Sequence, residues 1–258
     1  MAFIHSYGYD PEWRYHGNPR NHLLMGVELE VDGGGEDEDK AANVLRILNG
    51  SEYSEINCYI KHDGSLRDGF EIVSQPSTLK YHTTKIPWQA AFDYLRRNGY
   101  RSGSTSTCGL HIHINRLYFG KTEEEITDNE AKLLWFFETY WRKLVIFSRR
   151  KPEQISRWCA RYGHTNFEQA IEDNRDSRYY ALNFRNFATD EIRLFKGTLV
   201  YPIFEATLRL VYNIVRYCKT RSLEALQQEK WENFLLFILK DIEKNKPLID
   251  YMMARGIW

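Results

Sequence analysis

Three short stretches of this 258-residue chain each set two charged or metal-capable side chains two residues apart: Glu28 and Glu30 in GVELEV, His111 and His113 in GLHIHIN, and Glu191 and Arg193 in EIRLFKG. In an extended strand, positions i and i+2 point to the same side, roughly 6.5 to 7 Å apart, so each pair is co-facial. Asp63 and Glu71 fall in two further strand-like stretches, NCYIKHD and GFEIVSQP. Taken one at a time, such pairs read as the wetted face of a half-exposed sheet. Taken jointly, a face that gathers Glu28, Glu30, Asp63, Glu71 and Glu191 accumulates like charge, and bound cations would relieve it. Carboxylates with an imidazole among them suit magnesium or manganese, ions that bind phosphate oxygens, so the chemistry indicated is phosphoryl transfer. A zinc site of Cys108, His111 and His113 competes with this reading, but its spacing matches none of the usual structural zinc patterns.

The elements that must carry these residues follow from periodicity. LLMGVELEV, residues 23–31, alternates as a strand that turns Glu28 and Glu30 away from Val27, Leu29 and Val31. An acidic, glycine-rich loop over 32–40 leads into a helix over 38–49, ended by Gly50. Residues 57–63 and 69–76 pair as a hairpin, and 86–100 repeats Trp88, Ala91, Phe92 and Leu95 at helical spacing. A Ser/Thr/Gly loop precedes the GLHIHIN strand. Thr127 opens a long helix that runs to the basic end at Arg149 and Arg150, where Trp135, Phe136, Phe137 and Trp141 read as core or interface rather than as a nucleotide shelf. Strands over 180–187 and 191–197 flank the turn ATD, and helices fill most of the chain from about 202. Strands in hairpins with helices in separate blocks imply an α+β fold with a mostly antiparallel sheet of about six strands, and no linker divides residues 1–258.

Composition narrows the function. Lys plus Arg and Asp plus Glu are each 35, so no net basic field argues for nucleic acid. The first residues lack a basic segment followed by an apolar one, and no run suffices to cross a bilayer, so neither export nor membrane insertion is expected. Cys58, Cys108, Cys159 and Cys218 lie far apart with no CxxC pair, as in a reduced, cytoplasmic protein. Lys61, beside Asp63, reads as a surface charge.

The order GVELEV, DGSLRDGFEIVSQP, GLHIHIN, the arginine-rich RDSRYYALNFRN and EIRLFKGTL resembles the amidoligase family, a branch of the glutamine synthetase and glutamate-cysteine ligase superfamily, over roughly residues 22–215. The resemblance implies a sheet curved into a funnel with helices on its outer face, like a glutamine synthetase catalytic domain. It implies an ATP-dependent carboxylate-amine ligase that activates a carboxylate as an acyl phosphate, with two or more Mg²⁺ or Mn²⁺ ions. Glu28, His111 and Glu191 match the ligands of one ion. Glu30, Glu71 and Asp63 match those of the second, Asp63 standing where the synthetases carry Glu. Arg193 and Arg178 are then the candidates to clamp a phosphoryl group or a substrate carboxylate, and His113, Arg185 and Arg175 those to contact the nucleotide. Both substrates stay open: amino acid, peptide, peptidoglycan fragment or protein tail would each supply a carboxylate or an amine. So does self-association into a homo-oligomer. A guanidino kinase or phosphohydrolase would use the same metals, and a non-catalytic binding protein would keep only the fold.

Overall fold

Alternation in LMGVELEVD makes Leu24–Asp32 the longest strand in the computed structural model, which describes residues 3–258. The chain is α+β and divides into two units, one holding the residues up to Ile114 with Lys196–Phe204, the other Asn115–Phe195 with Glu205–Trp258.

The first unit contains β1 (Ile4–His5), β2 (Leu24–Asp32), α1 (Glu38–Asn49), β3 (Cys58–Lys61), β4 (Gly69–Ser74), β5 (Ser77–Thr78), α2 (Leu79–Thr84), α3 (Trp88–Arg97) and most of β6 (Gly109–Asn115). Its strands lie in the order β1-β3-β4-β2-β6, with β5 paired to β2. The β3–β4, β4–β2 and β2–β6 pairs are antiparallel, whereas β1 runs parallel to β3. One face of this sheet is apolar: Val27, Leu29, Val31, Ile60, Phe70, Ile72, Leu110 and Ile112 are fully buried. Each such side chain contributes about 1.5–3 kcal/mol relative to exposure.

Both flanking helices match their sequence signals. Asp37 caps α1 by accepting from the Lys40 N–H, Glu38 and Asp39 complement the dipole, and Gly50 ends the helix in the left-handed region at φ 78°. Trp88, Ala91, Phe92 and Leu95 are the buried residues of α3. At the start of β4 the backbones come so close that a Cβ on Gly69 would sit 1.9 Å from the Val31 carbonyl oxygen. Only glycine permits this approach.

The second unit contains α4 (Glu123–Thr139), α5 (Trp141–Ser148), α6 (Pro152–Trp158), α7 (Phe167–Asp176), β7 (Leu182–Asn183), β8 (Thr189–Lys196) and, beyond the first turn of α8 (Tyr201–Lys219), α9 (Leu223–Gln228), α10 (Trp231–Leu239) and α11 (Ile242–Ala254). Phe136, Tyr140, Tyr217, Trp231 and Phe234 form its aromatic core, with ring centroids 4.8 to 6.2 Å apart along the contacts of Phe136.

Two expectations need correction here. The long helix starts at Glu123 under a Thr122 cap rather than at Thr127, because Glu123, Glu124 and Glu125 supply the acidic first turn, and it breaks at Tyr140 into α4 and α5. The strand expected over 180–187 shrinks to Leu182–Asn183: the Phe184 N–H donates to Asn174 Oδ1 and the Arg185 N–H to Asn183 Oδ1, which takes both out of the ladder. Arg175 lies in the last turn of α7.

All four cysteines are buried free thiols. Among the described residues, no helix is long and apolar enough to cross a membrane.

Candidate metal centre

The polar face of the first unit's sheet is assembled by register. Glu30 stands opposite Glu71 on β4, and Glu71 stands opposite Lys61 on β3. Two residues along, Glu28 stands opposite His111 on β6. Directly opposed residues share a face, so the two glutamates of β2 draw Glu71, Lys61 and His111 to one side, and His113 follows His111 by alternation.

This face is not wetted. Glu30, Glu71 and His111 are 5%, 3% and 5% exposed, which overturns the reading of these residues as a solvated sheet surface. One carboxylate oxygen from each of Glu30 and Glu71 and one ring nitrogen of His111 lie within 4.8 Å of one another. His111 Nδ1 is 3.3 Å from Glu28 Oε2 and its Nε2 is 3.9 Å from Glu30 Oε1. His113 Nε2 lies 3.2 Å from the other Glu28 oxygen. Glu30 is held from a second direction, its Oε2 accepting from the Gly109 N–H at 2.6 Å while the Ser102 hydroxyl donates to its carbonyl.

The electrostatics split the acids into two kinds. Burial opposes the charge of Glu28, yet His113 and His111 outweigh it and hold that carboxyl well below the usual range. Burial, and then the negative charge of Glu28, push Glu71 well above it, with Lys61 pulling the other way. A buried group of carboxylates and one imidazole is the donor chemistry that magnesium or manganese takes. Residues of this kind fit a divalent ion. The zinc alternative finds no thiol: the converging donors include no cysteine.

Asp63 stands apart from that group. Its Oδ1 accepts from the Ser65 N–H at 2.6 Å, which makes it the cap of the turn between β3 and β4.

In the second unit, Glu191 and Arg193 share one face of β8 and are both buried, Arg193 Nη1 donating to Glu191 Oε1. The Asn183 amide donates to the other Glu191 oxygen at 2.7 Å. Arg193 Nε is buried with no hydrogen-bond partner, and the Tyr179 ring lies 5.7 Å from the guanidinium carbon. Arg175, Arg178 and Arg185 are exposed.

Two participants escaped the sequence reading. Lys61 is not a surface charge: its side chain is 15% exposed and its ammonium lies 3.3 Å from Glu71 Oε2. Cross-strand register puts it there, and no local pattern announces register. Asn183, which reads from sequence as a substrate contact or an ordinary polar strand residue, instead orients Glu191.

Comparison with known proteins places this chain. No curated protein matches it. Among solved structures, the chain is similar to a bifunctional glutathione synthetase from Pasteurella multocida, at 13% identity and a TM-score of 0.46 over 91% of this chain, which spans 46% of that one. The family model described as "Putative amidoligase enzyme" matches residues 52–215, a segment that carries Glu71, His111, His113, Glu191 and Arg193. By that match the chain belongs to the amidoligase family.

Proposed function

We propose that this protein is an ATP-dependent carboxylate-amine ligase. The observation that carries the reading is the convergence of Glu30, Glu71 and His111, three buried donors within 4.8 Å whose charges call for a cation. An unactivated carboxylate does not react with an amine in water, because its leaving group would be oxide; transfer of the ATP γ-phosphoryl makes an acyl phosphate that the amine can attack. Divalent ions bound here would neutralise charge on the phosphates.

The chain's own residues do the rest. Glu30, Glu71 and His111 would hold the ion, with Glu28 oriented by both histidines. The resemblance adds Glu191 as a carboxylate ligand and Asp63 as a contact made through water. Arg193 pairs with Glu191 and would offer its Nε–H to a phosphoryl or carboxylate oxygen, while the exposed Arg178 would recruit the anionic substrate. His113, Arg185 and Arg175 remain the candidates for nucleotide contact. Four buried free thiols accord with work in the cytoplasm.

The test is ADP release with ATP and Mg²⁺ across panels of carboxylates and amines, amino acids and short peptides first. Release that requires both partners, with an amide as product, supports the ligase. A stable phosphoguanidine marks a kinase instead, partner-independent release a phosphohydrolase, and no turnover with bound metal and nucleotide a binding protein.

A further inference from the structure

Lys61 ends β3 opposite Glu71, and Glu71 stands opposite Glu30, so a row of three charged residues crosses three strands. Glu71 is shared within that row. It offers an oxygen to the group completed by Glu30 and His111, and its Oε2 lies 3.3 Å from the Lys61 ammonium. A divalent ion at the first position and an ammonium at the second would compete for one carboxylate and repel each other in a poorly solvated place. The row therefore suits one cation at a time.

We propose that Lys61 is a resident counter-ion of Glu71, that a divalent cation displaces it, and that the freed ammonium binds phosphate oxygens of the nucleotide arriving with the metal. This rests on the metal-centre reading above. Before the ion arrives, the ammonium offsets the repulsion among Glu28, Glu30 and Glu71 that burial would otherwise make costly. After it arrives, the same positive charge is surplus at Glu71 and useful beside a phosphate.

The residue type fits this exchange. Lysine is a compact charge on a four-carbon stem with freely rotating donors, whereas the arginine fork would hold a carboxylate at two points. The half-exposed Tyr7 ring, its centroid 5.8 Å from Nζ, gives the ammonium a surface on which to rest between partners.

Lysine acetylation by an N-hydroxysuccinimide ester, quantified residue by residue by mass spectrometry, reads the exchange without reference to turnover. With Mn²⁺ alone, binding being followed in parallel by electron paramagnetic resonance, Lys61 labelling should rise at least threefold relative to the exposed Lys80. Adding ATP should return it towards the metal-free value. The Lys61→Met variant, checked for folding by circular dichroism, should still bind Mn²⁺ but bind its ATP complex about tenfold more weakly. If the wild type takes up no Mn²⁺, the metal-centre reading itself fails. If Mn²⁺ binds and Lys61 labelling stays level or falls, the displacement is wrong and the metal centre stands. Wild-type affinity of Lys61→Met for the Mn²⁺–ATP complex would likewise overturn the phosphate contact.

Discussion

Each unit of the molecule buries more carboxylate than cation, and the two resolve the surplus differently. In the second unit, Glu130 is gripped by Arg116, whose Nε lies 2.5 Å from Glu130 Oε1, while Asp190 beside it is fully buried. Burial, and then the negative charge of Glu130, push Asp190 well above the usual carboxylate range. In the first unit, Glu71 is raised in the same way by burial and by Glu28, but a lysine lies beside it, and two imidazoles hold Glu28 well below that range. A guanidinium that bonds Glu130, Glu123 and the Phe187 carbonyl at once makes a fixed arrangement. Imidazoles and a flexible ammonium make one that can exchange partners, which is what a metal site requires.

The comparison breaks or sharpens under substitution. The largest effect is expected where the arrangement is fixed: Arg116→Ala strands a buried carboxylate and should lower stability by about 3–5 kcal/mol in urea unfolding, with Arg116→Met combined with Glu130→Leu recovering most of it. Glu71→Gln should leave unfolding nearly unchanged and lower Mn²⁺ affinity by more than about 100-fold, beyond the 10–100-fold that outer-shell partners typically cost. The reverse pattern, intact binding with lost stability, would make the first cluster merely structural.

The two ways of handling surplus charge should also show opposite pH signs. A raised pKa at Asp190 contributes stability that is complete below the unfolded carboxylate pKa and is lost as pH rises towards the folded value, so Asp190→Asn should flatten that decline. A depressed pKa at Glu28 contributes stability present above the unfolded pKa and lost as pH falls towards the folded one, so Glu28→Gln should soften loss on the acid side. Each change is measured as unfolding free energy against pH. Parallel curves for the two variants would erase the distinction. The smallest effect belongs to His113→Ala, which should keep Mn²⁺ and weaken nucleotide binding several-fold, about 1 kcal/mol.

Legibility followed the range of the interactions. β2, α1 with its Gly50 stop, the β3–β4 pair, α3 and β6 are local patterns of period 2 or 3.6, and each was readable. The co-facial pairs were readable for the same reason. α6 and α7 were not expected: α7 is capped by Asn166 and buries only Ala170 and Asn174, so it carries little apolar periodicity. The ends of β7 depend on Asn174, ten residues from the N–H it captures. Lys61 and Asp190 illustrate the sharper limit. Alternation tells which residues share a side of one strand, but whether a charge meets water or another charge is decided by the neighbouring strand.

Gly69 carries that limit into genetics. Any side chain there would press on the Val31 carbonyl, and the cheapest relief is to slide β4 along β2, which by one residue would turn Glu71 from the polar face into the apolar core. A loss-of-function screen should therefore score Gly69 beside the ligands themselves, although it contributes no atom to the chemistry: it works as a spacing mark, and an error in spacing silences a site whose every letter is still correct.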